Sequence, residues 1–142
     1  MGSSSTENKA VIRTVIAALN AADYDALDQY IAADFVRHCQ ATPEVTVKSL
    51  EEFKRFDAGS RETFPDQTVV LERLLGEDEL VSFWAKFQGT QDGQMGPFPP
   101  SHKRVNLDFA GVFRFAEGKV RELWIIWDNM AMLAQLGHLQ GG

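Results

Sequence analysis

A chain of 142 residues is long enough for one domain with a real hydrophobic core and too short for two ordinary ones. Its 44% hydrophobic and 24% charged residues are those of a soluble globular protein, and no apolar run approaches the roughly 20 residues of a membrane-spanning helix. Fourteen basic against twenty acidic residues leave a net charge of -6, with the basic residues scattered, which argues against nucleic acid as a partner.

The single cysteine, Cys39, rules out an internal disulfide framework, and no apolar secretory leader is visible, so a cytoplasmic location is expected. Gly2 and Thr6 literally match an N-myristoylation pattern, as many small-residue leaders do. Residues 1–6 are therefore read as a flexible leader and 7–140 as a single domain.

From Lys9 to Ala21, Val11, Ile12, Val15, Ile16, Ala18 and Leu19 recur at helical spacing, and Ser4 with Glu7 can form a capping box. Asp23 reads as the N-cap of a second, shorter helix through Leu27 and Ile31, a helical hairpin that leads into "DFVRH". A third helix is expected from Leu50 to about Ala58, with Ser49 and Glu52 as capping box and Leu50, Phe53 and Phe56 as its buried stripe. After "FPD" the pattern changes. Thr68 to Leu75, Leu80 to Thr90, Val105 to Phe115 and Val120 to Trp127 are rich in β-branched and aromatic residues and read as strands.

Short glycine-containing links at 76–79 and 116–119 predict antiparallel hairpins, and "QDGQMGPFPPSHK", with its three prolines and two glycines, predicts a loop or lid. Alternation puts Val105, Leu107, Phe109, Phe113 and Phe115 on one face and Asn106, Asp108 and Arg114 on the other; Val81, Phe83, Ala85 and Phe87 face away from Ser82, Lys86 and Gln88. Helices ahead of an antiparallel sheet with one apolar face define an α+β domain.

Several pieces, taken in order, carry a family resemblance: the N-terminal helical pair, "DFVRH" (Asp34 to His38), "FPD" (Phe64 to Asp66), "GT" (Gly89, Thr90), "PP" (Pro99, Pro100), "FRFAEGKVRELWIIWD" (Phe113 to Asp128) and "QLG" (Gln135 to Gly137). Together they resemble the SnoaL-like polyketide cyclase family of the nuclear-transport-factor-2-like superfamily. The resemblance implies a cone-shaped curved antiparallel sheet packed against N-terminal helices, a deep hydrophobic pocket and homo-oligomers, a dimer favoured, formed through the outer sheet surface. It also shows departures near the expected pocket mouth: Gln91 stands where members often have histidine, and "PPTG" is here Pro99-Pro100-Ser101-His102.

Asp128 follows Trp124 by four, which in a strand places both on one face. The resemblance turns that face to the pocket and matches Asp128 to the family's general acid/base carboxylate, which apolar surroundings would hold nearer neutrality. Read from the sequence alone, Asp128 is a helix N-cap. The resemblance also sets His38 facing the cavity, where it would support an enolate oxygen; otherwise it is a wall or surface residue.

His102, in the proline-rich loop, is a solvent-exposed residue or closes over a ligand, and His138 reads as surface. Arg104, Asn106 and Asp108 alternate onto a polar strand face, better read as solvated or subunit contact than as the water-activating network of an epoxide hydrolase. A ketosteroid-isomerase-like tyrosine oxyanion hole requires Tyr24 or Tyr30 to point inward. The abundant aromatics fill the core and suit a planar apolar ligand.

The expected substrate-binding set is Trp124, Phe113, Phe87, Phe53, Gln91 and His102, with Asp128 and His38 catalytic. No residue grouping has metal-ligand spacing and no phosphate-binding glycine loop opens a helix, so no metal and no cofactor is expected. The reading is an enzyme that abstracts a proton α to a carbonyl of a small apolar compound and closes a ring. Isomerase or epoxide-hydrolase-like chemistry on the same scaffold, or a non-catalytic binding protein, are the alternatives.

Overall fold

The computed structural model describes residues 4–139, as three helices packed on a five-stranded curved sheet. Helix α1 (Ser5–Asn20) starts where the Ser4 hydroxyl accepts the Glu7 amide at 3.1 Å, and its stripe of Asn8, Ile12, Val15 and Ala18 is buried. Ser5 and Thr6 thus belong to the helix rather than to a leader. Residues 1–3, on which the rest of the leader and Gly2 fall, and residue 140 at the far end of the expected domain lie outside the described residues. At the other end of α1 the Asn20 side-chain amide exchanges two hydrogen bonds with the backbone of Val69, at 2.9 and 2.8 Å. A side chain thereby takes the place of a neighbouring strand on a sheet edge.

The second helix is shorter than the spacing suggested, a 3-10 turn at Asp25–Gln29. Ile31 and "DFVRH" belong to a strand, β1 (Ile31–Cys39), whose irregularity between Ile31 and Val36 breaks the alternation that marks a strand in sequence. Helix α2 (Leu50–Thr63) runs longer than expected; the Ser49 hydroxyl accepts the Glu52 amide and the Glu52 carboxylate reaches back to the Lys48 amide.

Strands β2 (Thr68–Glu77), β3 (Leu80–Thr90), β4 (Arg104–Ala116) and β5 (Lys119–Trp127) follow, then helix α3 (Asn129–Gln135). The order in the sheet is β1-β5-β4-β3-β2. Every pairing is antiparallel except β1 with β5, which is parallel, so the wholly antiparallel sheet of the sequence reading is corrected to a mixed one. Breaks of register after Leu71 and at Arg114/Phe115 add one-residue bulges, and bulges bend and twist a sheet. Helix α1 packs on β2, α2 on β1 and α3 on β4, over the concave apolar face. No helix among the described residues is long and apolar enough to cross a membrane.

Candidate functional site

Helices and sheet do not close completely on one another. Between them lies a cavity of about 730 Å³, within the range of small-molecule sites. Its walls are Phe53 and Phe56 of α2, Phe83 and Phe87 of β3, Phe109 and Phe113 of β4, Leu123 and Ile125 of β5, and Trp127. Met95, Gly96, Pro97 and Phe98 of the 91–103 loop also line it. Inner-face glycine Gly111 makes room for the wall. A Cβ there would lie 2.3 Å from the Trp124 carbonyl oxygen and 2.8 Å from the Phe83 ring.

Few polar side chains enter this apolar wall, and two groups of them are withdrawn from solvent wholly or in part. The first surrounds Asp57, one turn beyond Phe53 on the inward stripe of α2, with a side chain 15% exposed. The Tyr24 hydroxyl donates to Asp57 Oδ2 at 2.8 Å, Arg61 Nε lies 3.4 Å from the same oxygen, and Gln67 Nε2 donates to Oδ1 at 3.4 Å. Ser60 in turn donates to Gln67 Oε1 at 2.6 Å, and the Arg61 guanidinium donates to the Leu19 carbonyl. Burial raises the Asp57 pKa from its ordinary value, and this outweighs the lowering by Tyr24, Arg61 and Gln67. Tyr24 is also pushed up, first by burial and then by the adjacent carboxylate. Of the two tyrosines the sequence left open, Tyr24 packs partly buried against the core with its hydroxyl on Asp57 and does not line the cavity. Tyr30 packs against the core.

The second group is Arg37 of β1, 8% exposed, whose guanidinium carbon sits 4.3 Å from the centroid of Phe56 and 5.7 Å from that of Trp127. Burial lowers its pKa.

The residues singled out from sequence fall in three places. Phe53, Phe87 and Phe113 line the cavity. Trp124 and His38 do not: they occupy paired positions of β5 and β1 on the outer face, stacked with ring centroids 5.4 Å apart, and His38 Nε2 meets Glu122 Oε2 at 2.6 Å. The cause is the bulge at Arg121. Phe115 pairs with Val120 but Arg114 with Glu122, so the inward set, after buried Val120, becomes Leu123, Ile125 and Trp127.

Asp128 is exposed, and its Oδ1 accepts the Met130 and Ala131 amides at 2.9 and 3.2 Å, which makes it the N-cap of α3. It stands between the lining residues Trp127 and Asn129 without lining the cavity itself.

Gln91 and His102 belong to the loop's own framework. Gln91 is fully buried, donating to the Gly93 and Pro99 carbonyls at 3.1 Å and accepting from Ser101 at 3.1 Å, with His138 Nε2 at 2.5 Å. His138 is consequently a partly buried anchor of the loop rather than a surface residue. His102, at a positive φ of 60°, is exposed and meets Asp92 at 2.9 Å. Arg104, Asn106 and Asp108 are exposed, Asp108 pairing with Lys86 across the outer face at 2.5 Å.

Asp57 was not found from the sequence. Its signal was there, because it follows Phe53 by four and so shares the apolar stripe of α2, where a carboxylate has no packing reason to be.

Solved structures similar to this chain carry the same fold. A protein from Jannaschia sp. CCS1 described as a candidate SnoaL-like polyketide cyclase superposes with a TM-score of 0.85 at 24% identity, over 96% of this chain and 95% of its own. IdmH of Streptomyces antibioticus, described as a candidate polyketide cyclase, matches with a TM-score of 0.81 at 27% identity, covering 91% and 97%. AclR of Streptomyces galilaeus, described as a candidate hydroxylase, gives 0.82 at 25% identity, covering 97% and 89%. A protein from Catenulispora acidiphila described as having a ketosteroid isomerase-like fold matches with a TM-score of 0.74. A comparison with curated proteins finds no match. The sequence model of SnoaL-like polyketide cyclases covers residues 9–136, and with the fold agreeing, the chain belongs to the SnoaL-like polyketide cyclase family.

Proposed function

We propose that the cavity binds a small apolar carbonyl compound and that Asp57 moves a proton α to its carbonyl. The observation that carries this reading is a partly buried carboxylate, raised in pKa, opening on an aromatic chamber. Such a group is a stronger base than one in water and, once protonated, an acid strong enough to return the proton. In a ring closure Asp57 would take the Cα proton, the enolate carbon would attack a second carbonyl of the folded substrate, and the carboxylic acid would protonate the resulting alkoxide. The walls supply proximity. Tyr24 and Gln67 hold the carboxylate in place, and Arg61 balances its charge.

Asp128 is the rival base, favoured by the family resemblance and disfavoured by its exposure and by its engagement in the α3 cap. A non-catalytic binding role is the second reading, favoured by that same engagement.

Kemp elimination of nitrobenzisoxazole, which needs one base in an apolar pocket, separates the three. The wild type should turn it over, with an inflection above the ordinary aspartate range, and Asp57→Asn should lower the rate roughly a hundredfold or more while Asp128→Asn leaves it. Loss in Asp128→Asn with retention in Asp57→Asn transfers the role to Asp128, and no turnover by the wild type favours the binder.

The outer face, with Trp84, Trp124 and Ile126 exposed at 44%, 41% and 53%, is read as the surface of a homodimer. Sedimentation of Trp124→Glu beside the wild type tests it, a monomer being expected for the variant.

A further inference from the structure

Arg37 is 8% exposed and lines the cavity, and its guanidinium has no carboxylate within 4.0 Å among the described residues. Its single hydrogen bond to an oxygen among those residues runs from Nη1 to Thr42 Oγ1 at 3.3 Å, and the thiol of Cys39 lies beside it. A buried cation with no counter-ion is costly, and arginines inside proteins are ordinarily paired. This one has its guanidinium carbon over the Phe56 ring and near that of Trp127, so aromatic faces rather than a protein anion surround it among the described residues. Arg37 is also the inward neighbour of His38, the residue that the family resemblance had turned to the cavity.

We propose that Arg37 is an anion-binding residue of the cavity, and that the ligand is an apolar, ring-containing molecule bearing an oxyanion group such as a carboxylate, seated in plane against the guanidinium fork. Bidentate pairing with a planar carboxylate suits a guanidinium fork. The proposal rests on the binding half of the reading above and not on Asp57 acting as a base. It narrows the substrate class from apolar carbonyl compounds to their acids.

A matched pair of dyes tests it: anilinonaphthalene sulfonate carries an oxyanion, and N-phenylnaphthylamine has the same ring skeleton without it. Both brighten on entering an apolar site, so binding is read without turnover. In the wild type both should bind. Arg37→Met should weaken the sulfonate about ten- to a hundredfold and leave the neutral dye within about twofold. Arg37→Lys, which keeps the charge but not the fork, should lie between.

Arg55, the exposed arginine that also lines the cavity, provides the control. Arg55→Met should leave the ratio of the two affinities unchanged. Equal weakening of both dyes by Arg37→Met, or a loss of sulfonate preference in Arg55→Met instead, overturns the assignment. If neither dye binds the wild type, the cavity reading falls and this inference with it, whereas a failure confined to the sulfonate leaves the Kemp assay of Asp57 to stand on its own.

Discussion

Substituting Gly111 by alanine should destabilise the protein and shrink its cavity together. The added methyl would stand 2.3 Å from the Trp124 carbonyl oxygen and 2.8 and 2.9 Å from two carbons of the Phe83 ring. The first of these is backbone on a paired strand and cannot rotate away. Relief therefore requires β4 and β5 to separate locally, losing a ladder hydrogen bond of about 1 kcal/mol. It also requires Phe83 to leave its place against Phe113, at 5.2 Å, and Phe109, at 5.6 Å.

Forcing a well-packed ring aside costs about 1–3 kcal/mol. Alanine restricts the unfolded chain more than glycine does, which returns about 0.4–1 kcal/mol. The net loss is about 2 kcal/mol, or a melting temperature roughly 8 °C lower for a domain of this size. Phe83 lines the cavity, so the displaced ring has the void to enter, and N-phenylnaphthylamine binding should weaken in the same variant. The measurements are thermal unfolding and dye titration. A variant that melts within about 2 °C of the wild type and binds the dye equally would refute the idea that Gly111 sets Phe83 back to keep the chamber open.

Two further outcomes follow from the site. Asp128→Ala should cost about 1 kcal/mol in urea unfolding and Asp128→Ser much less, because serine can still cap α3; equal losses would mean that the cap bonds contribute nothing. Asp57 has a folded-state pKa above the ordinary 3.8, so its contribution to stability is fully present below that value and is lost as pH rises through the folded pKa. Thermal scans over pH should accordingly show Asp57→Asn with a flatter decline than the wild type across that window, and parallel curves would contradict the raised pKa.

Much of the fold was written in local patterns. The pair Ser49 with Glu52 marked the start of α2 to the residue, Ser4 with Glu7 offered the cap of α1 although the helix was read from Lys9, and four strands with their two tight links were visible as alternation. β1 was not, because its irregular stretch at Ala33 and Asp34 is exposed on consecutive positions and imitates the end of a helix. The bulge at Arg121 had a larger effect, since it puts Leu123, Ile125 and Trp127 inward, whereas the family resemblance had turned Trp124 and His38 to the cavity. Phe53, Phe87 and Phe113 were placed correctly because unbroken alternation or helical spacing reaches them. Asp57 and Arg37 required tertiary information: the first takes its meaning from Tyr24, thirty-three positions earlier, and the second from Phe56 and Trp127 on other elements.

The parallel alignment of β1 with β5 has a consequence for how the chain matures. Val36 must wait for Glu122, and His38 for Trp124, so this strand has its sheet partner 86 residues later in the chain. During synthesis the hairpins β2-β3 and β4-β5 can zip from adjacent sequence, while β1 stays without a neighbour, its Phe35 and Ile31 in water. Distant pairings of this kind slow folding and prolong the interval in which an unpaired strand can meet another chain. Rapid overproduction should therefore favour aggregates seeded by residues 31–39, and a slower, cooler synthesis should relieve them.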